Sequence, residues 1–408
     1  MKIKKLSIKN YRSCIETVFE PHSSLSALIG PNGSGKTNVL SAIKLLPALS
    51  TIRRHVAGQV EPSAPSEIKT WFDLDGKTLI HNAQLSIVTN EKNQDEIISA
   101  AERWYMKDFT GSKKQVHLQS WVLADITREL RVGNNLSASA RSRGMMDYLR
   151  TQGVNQDNLP VLQQAHQFMS NITYYSASQF TNPGTSPLSF DVEADSNRRT
   201  GISISGHKKF LYDLYQEKRN KTDVYAEFRS LVGPEGVGLI EEVVFNEIKT
   251  SSSNYSVMTG GKVVIREKTN LLVVPSFKVA GNSLSPSQLS EGTFKALALV
   301  FYLVTDKSSI LMIEEPEVCV HHGLLLSIIE LIKLYSKGKQ VFISTHSDAV
   351  LDQLSFDNVF RVFRTKKGTE IASIKKRLRG VELVALKDYL ANEGSLGEYW
   401  KHGDLENV

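Results

Sequence analysis

Cysteine is nearly missing from this chain: Cys14 and Cys319 are the only two in 408 residues. Two thiols build neither a disulfide framework nor a four-cysteine zinc site, and they suit a reducing compartment. Long apolar runs are missing as well. The longest, such as Ala296 to Val304, match buried core helices and fall short of the roughly 20 residues that cross a bilayer. The lysine-bearing start from Met1 to Ser13 lacks the continuous apolar stretch of a signal peptide. We therefore expect no membrane partner and a cytoplasmic location. Nor is there a strong charge of one sign. With 49 Lys and Arg against 43 Asp and Glu, the net charge is +6, which permits a polyanionic partner without requiring one. Internal repeats and long low-complexity tracts are also lacking.

What is present is enough apolar residue, 41% of the chain, to bury a sizeable core. The opening alternates apolar and polar positions at Ile3, Leu6 and Ile8, then turns into a short apolar run from Ser24 to Gly30 that predicts a buried strand. Thr37 to Leu46 favours helix, which Pro47 should close. Residues 70–90 and 115–125 predict antiparallel strands, with Asp75 and Gly76 as a turn. Residues 139–170 are helical in character. Residues 183–206, dense in Pro, Gly, Ser and Asn, predict an exposed loop, and 207–230 an amphipathic helix followed by hairpin strands to about 280. We expect an α/β fold in three segments: an N-terminal lobe (1–135), a helical and hairpin insertion (136–280), and a C-terminal lobe with a short tail (281–408).

Gly30 to Thr37 fit G-x-x-x-x-G-K-[ST] in full, between a strand and a helix. Gly30, Gly33 and Gly35 let the backbone wrap phosphates, and Asn32, Ser34 and Asn38 flank them. Lys36 would reach the terminal phosphate oxygens and Thr37 would hold Mg²⁺. Ile310 to Ile313 is a buried strand delivering Glu314 and Glu315 at its C-terminal end, where open α/β sheets bind ligands. We expect Glu314 to serve the metal and Glu315 the attacking water. Ser290 and Gly292 open an apolar helix and could meet an anion there. Gln340 to Ile343 is another apolar strand, ending in Ser344, Thr345, His346 and Ser347, where His346 could hydrogen-bond a γ-phosphate.

Taken in order, Gly30 to Thr37, Leu289 to Gly292, Ile313 to Glu317 and Thr345 to Ser347 resemble the ABC-type ATPase heads of the SMC, RecF and OLD-family proteins. Asn10 to Ser13 is similar to the first-strand motif of those heads, which makes Arg12 and Ser13 candidate ATP contacts. The resemblance implies a P-loop head with a mixed central sheet, ATP and Mg²⁺ as cofactors, and a signature at Leu289 to Gly292 acting in trans on ATP held by a second head. It implies self-association around nucleotide. His321 falls in the D-loop, while His322 departs from the proline expected after it, and Gln179 is the Q-loop candidate for the metal. The likeness is firm over residues 1–46 and 285–350.

Glu at 314 and the closing Gly394 to Trp400 look most like stand-alone bacterial ATPases near the OLD family, including the ATPase subunits of the PARIS and Septu phage-defence systems, which work beside a separately encoded nuclease. The resemblance thus implies a sensor or regulatory subunit with a nuclease effector as partner. The alternatives are a RecF-like repair ATPase that binds DNA itself, a transporter's nucleotide-binding subunit, and a scaffold that holds ATP without hydrolysis. Basic stretches at 361–379 and 208–221 could meet nucleic acid. No nuclease activity is expected. Asp348, Asp352, Asp357, Glu370, Glu382 and Asp388 are scattered among Lys and Arg without an Asp-x-Asp pair. The tail should pack on the head and offer Leu396 to Trp400 as a docking surface.

Overall fold

The computed structural model describes residues 1–49, 65–89, 95–107, 115–122, 157–193, 206–257, 263–377, 381–392 and 394–401. The chain divides into two compact units. Met1–Tyr175, Lys307–Pro316 and Lys333–Val408 form the first, Ser176–Asp306 and Glu317–Ile332 the second.

The first unit contains two six-stranded sheets. One is antiparallel, ordered Cys14–Phe19, Lys2–Tyr11, Ser66–Leu74, Lys77–Thr89, Asp95–Lys107 and Val116–Val122. Along Ser66–Leu74 every second residue is buried, the period-2 signature of a sheet with one face in the core. Its turn to the next strand places Asp75 at φ 45° and Gly76 at φ 84°, both in the region that a two-residue type I′ hairpin turn requires.

The other sheet runs Gly368–Ser373, Val359–Thr365, Leu25–Ile29, Gln340–Thr345, Ile310–Glu314 and Ile172–Tyr175. All neighbours are parallel except the Val359–Ser373 hairpin, so the sheet is mixed. Leu25–Ile29 and Gln340–Thr345 are buried at every residue, as expected of parallel strands covered on both faces. Gln340 stitches the two sheets together. Its amide nitrogen donates to the carbonyls of Ile3 and His22, both at 2.9 Å, and its oxygen accepts the Ile3 N–H at 2.9 Å. Phe19 packs edge-on against Phe342 and Phe360, with centroids 5.9 and 5.1 Å away.

In the second unit a long hairpin, Glu242–Val257 with Val263–Val279, carries the short strands Asn282–Leu284 and Phe190–Glu193. Three helices, Gly206–Arg219, Asp223–Val232 and Glu291–Thr305, bury Phe210, Phe228, Phe294 and Phe301.

Several elements differ from expectation. Pro47 does not close the first helix. That helix ends at Lys44, and Pro47 enters a short second one, Leu46–Leu49, where the first turn tolerates a missing N–H. Of 139–170, the described helix is Leu159–Ser170; residues 139–156 lie outside the described residues. The 183–206 stretch contains a strand with Phe190 and Val192 buried, too short to show a period. Residues 207–230 hold two helices, because Lys221 takes φ 49° and Thr222 caps the second by accepting the Tyr225 N–H at 3.1 Å. The first compact unit runs on through Tyr175, where Ile172–Tyr175 pairs with Ile310–Ile313.

Among the described residues no helix is long and apolar enough to cross a membrane.

Candidate functional site

Parallel pairing brings three strand ends to one edge of the mixed sheet. Ile29 lies opposite Thr345 and Glu314 opposite Ser344, so the loop after Ile29, the two glutamates and His346 emerge together.

The loop from Gly30 to Gly35 leads into the nine-residue helix Lys36–Lys44, whose free N–H groups and dipole face the loop. Glycine is obligatory at two points. Gly30 (φ 153°) would put a Cβ 2.1 Å from the Val362 carbonyl oxygen, and Gly35 (φ 108°) one 2.2 Å from Thr369 Oγ1. Lys36 is buried, its ammonium donating to the carbonyls of Gly30 at 2.7 Å and Pro31 at 3.2 Å. Asn32 and Gly33 are exposed on the crest, while the Ser34 hydroxyl is buried without a hydrogen-bond partner.

Thr37 donates its hydroxyl to one oxygen of Glu314, and Tyr174 donates its phenol to the other. The sequence reading did not single out Tyr174. Lys44 lies over its ring, 4.4 Å from the centroid. Glu315 follows in a left-handed conformation, φ 46°, with its N–H on the Ser344 carbonyl at 2.8 Å. Its Oε1 lies 3.7 Å from His346 Nδ1, and the exposed imidazole stands at the mouth of the site. Such backbone strain on a residue beside acidic ligands is a mark of functional positions.

Ser13 Oγ accepts from Asn38 Nδ2 at 2.6 Å, so Ser13 and Asn38 meet behind the loop. Arg12 is engaged elsewhere, its Nη2 3.0 Å from Asp95 Oδ2, to which Tyr11 also donates. Burial, then the hydrogen bond to Asp95, pushes the Tyr11 phenol well up.

In the second unit, Ser290 caps Glu291–Thr305 by accepting the Thr293 N–H at 3.1 Å. A Cβ on Gly292 would lie 2.3 Å from the Cys319 carbonyl oxygen. Lys295, another residue not singled out from sequence, donates to the Val318 carbonyl at 2.6 Å, and the Cys319 thiol donates to Glu291 at 3.0 Å. That hydrogen bond pushes the thiol up. The segment around His321 is thereby latched to the helix Glu291–Thr305, with His321 Nδ1 accepting the Leu324 N–H at 3.3 Å. Gln179 is exposed in the turn Ala177–Phe180.

The tail helix Leu396–Lys401 packs inward at its start. Leu396 is buried, and the Gly397 N–H donates to Asp352 at 2.7 Å. Of the stretch Leu396 to Trp400, Glu398 is exposed and Tyr399 and Trp400 are part-exposed.

The donor set fits a nucleotide and a hard cation. A threonine hydroxyl converges with a carboxylate, a lysine lies inside a glycine loop at a helix start, and an unpartnered hydroxyl is buried in that loop.

Residues 1–149 match the family described as "AAA ATPase domain", and residues 277–352 the one described as "AAA domain, putative AbiEii toxin, Type IV TA system". The chain is 51% identical to the DNA replication and repair protein RecF of Desulforamulus reducens over 43 residues, 10% of this chain and 12% of that protein. It is 48% identical to the OLD nuclease of Thermus scotoductus over 44 residues, 11% and 8% of the two. With the endonuclease GajA of Bacillus cereus it shares 23% identity over 175 residues, 40% of this chain and 30% of that one. Each match thus spans under a third of the relative's length. Among solved structures, an Smc head bound to the C-winged helix domain of ScpA aligns with TM-score 0.47 and 15% identity over 92% of this chain and 99% of that one.

Proposed function

Starting from a chain that is an ABC-type ATPase of the SMC, RecF and OLD-like group, we propose that two copies close around ATP and hydrolyse it. The observation that carries this reading is Glu314, gathered by Thr37 and Tyr174 at the end of the sheet where Glu315 and His346 also emerge. Thr37 and Glu314 would hold Mg²⁺, which when bound neutralises phosphate charge and orders the phosphate oxygens. Lys36 and the helix N-terminus stabilise the charge of the terminal phosphates. Glu315 accepts the proton of the water that attacks the γ-phosphorus, the bond to the leaving ADP oxygen breaks, and His346 steadies Glu315 and the γ-phosphate oxygens. Ser290 and Gly292 of a second head complete the site in trans.

The test is Glu315→Gln. ATP binding should persist and closed dimers accumulate while hydrolysis falls by about a hundredfold, as expected from loss of general-base assistance. Hydrolysis at the wild-type rate would sink the assignment.

We place the nucleotide cycle in phage defence, as a sensor or regulatory subunit controlling a separately encoded nuclease. The stated activities of the OLD nuclease and GajA support a nucleic-acid setting. Three carboxylates of the tail make contacts within the fold. Asp352 accepts the Gly397 N–H, Asp357 lies 3.0 Å from the Lys375 ammonium, and Glu370 accepts the Thr365 hydroxyl at 2.7 Å. Incubated alone with plasmid and tRNA, with Mg²⁺ or Mn²⁺ and ATP, the protein should leave both intact. Cleavage that survives further purification and disappears on mutating an acidic residue of this chain would overturn that. The second reading, a repair ATPase, draws on the RecF matches; tight ATP-dependent DNA binding by the purified chain would favour it.

A further inference from the structure

Thr369 is the second residue of the strand Gly368–Ser373, over 330 residues from the phosphate loop in sequence, yet its side chain touches that loop. It is fully buried. Oγ1 donates to the Ser34 carbonyl at 3.1 Å and lies 2.7 Å from Ser13 Oγ, which in turn accepts from Asn38 Nδ2 at 2.6 Å. A carbonyl only accepts, so the single Thr369 hydroxyl proton goes to Ser34, and Ser13 must then donate to Thr369. The result is a one-way relay from Asn38 through Ser13 and Thr369 to the backbone of the phosphate loop. The Thr369 backbone is itself fixed, its N–H on the Ser13 carbonyl at 2.8 Å and its carbonyl on the Thr17 hydroxyl at 2.5 Å.

We propose that Thr369 is a positioning residue for nucleotide binding: it sets the plane of the Ser34–Gly35 peptide. In a trans peptide the C=O and N–H point in opposite directions. Drawing the Ser34 carbonyl toward the hairpin turns the Gly35 N–H away from it, and so presents that donor to phosphate. The positive φ of Gly35 belongs to the same arrangement, since Thr369 Oγ1 occupies the space where any Cβ at 35 would sit. The hairpin Val359–Ser373 thereby acts on the loop at two places, with the Val362 carbonyl against Gly30 and Thr369 against Gly35.

This role rests on the reading of the loop as an ATP site, and the experiment separates the two. Wild type, Thr369→Val and Thr369→Ser are titrated with ATP, and the melting of each is followed without nucleotide. Valine keeps the shape and removes the hydroxyl. It should raise the Kd for ATP about tenfold, the scale of one net hydrogen bond, while serine stays within about twofold of wild type. If Thr369→Val does not fold, Thr369→Ala carries the same expectation without a methyl against Gly35. A purely structural hydroxyl predicts a lower melting temperature with unchanged Kd in the folded fraction, and that result overturns the proposal. So does an equal loss of affinity in Thr369→Ser. Failure of the wild type to bind ATP would overturn the ATP site and this role together.

Discussion

Both oxygens of Glu314 are engaged, one by Thr37 from the start of the phosphate-loop helix and one by Tyr174 from the sheet edge. A carboxylate oriented on two sides presents its remaining lone pairs in a fixed direction, which matters for a cation that demands near-ideal geometry. Tyr174→Phe keeps the ring and its contact with Lys44 but releases one oxygen. The Mg²⁺ concentration for half-maximal ATPase activity should rise about tenfold, in line with loss of an outer-shell partner, with little change in nucleotide affinity measured without metal. An unchanged Mg²⁺ midpoint would remove Tyr174 from the site. At this scale the sequence was legible wherever chemistry is fixed by local spacing: Lys36 and Thr37 follow from the glycine loop, and Glu314 and Glu315 from their place after an apolar strand. Tyr174 and Thr369 were not. Tyr174 is placed by a pairing across more than a hundred residues, and Thr369 by a hairpin whose first strand pairs with Leu25–Ile29 more than three hundred residues away, for which a single sequence carries no register.

Among elements, the antiparallel sheet holds a polar pair in its core. His81 Nε2 lies 2.7 Å from Glu102 Oε2, both side chains fully buried, and Trp104 stacks on the imidazole with centroids 4.2 Å apart. In register His81 faces Trp104 and Glu102 faces Ala83, so the pair is a diagonal cross-strand contact. Removing one member deletes a hydrogen bond that the other makes while buried, which costs more than the pair contributes. His81→Leu should lower the unfolding free energy by about 3 kcal/mol, and Leu at both 81 and 102 should recover most of it. Denaturant unfolding of the three variants checks this; equal loss in single and double variants would show that packing against Trp104, not the hydrogen bond, governs the site. The hairpin turn at Asp75 and Gly76 was readable because both residues tolerate positive φ. The strand Phe190–Glu193 was not, since four residues show no period and it exists only as an addition to the long hairpin.

At the scale of the molecule, the sequence motifs sort between the two units. The phosphate loop, both glutamates and His346 belong to the first; Ser290, Gly292 and the segment around His321 belong to the second. The order of motifs along the chain gave no sign of that division, because the second unit is inserted twice, before and after the strand Ile310–Glu314. In the proposed closed dimer each active site takes its phosphate loop from one chain and its signature from the other. Lys36→Ala disables the loop, and Ser290→Arg sets a bulky cation where the helix N-terminus would meet the γ-phosphate. Each variant alone should lose nearly all ATPase activity, the first by weaker nucleotide binding and the second with binding intact. Mixed in equal amounts, about half of the dimers pair one chain of each kind if exchange is random. Such a dimer has one site carrying both lesions and one carrying neither. The mixture should therefore regain up to about a quarter of the wild-type activity when the two sites turn over independently, and less when hydrolysis needs both sites sound. Titrating one variant into the other at fixed total protein should give a maximum near equal proportions. A flat line at the level of the separate variants, under conditions where tagged and untagged chains demonstrably exchange, would argue that each chain completes its own site.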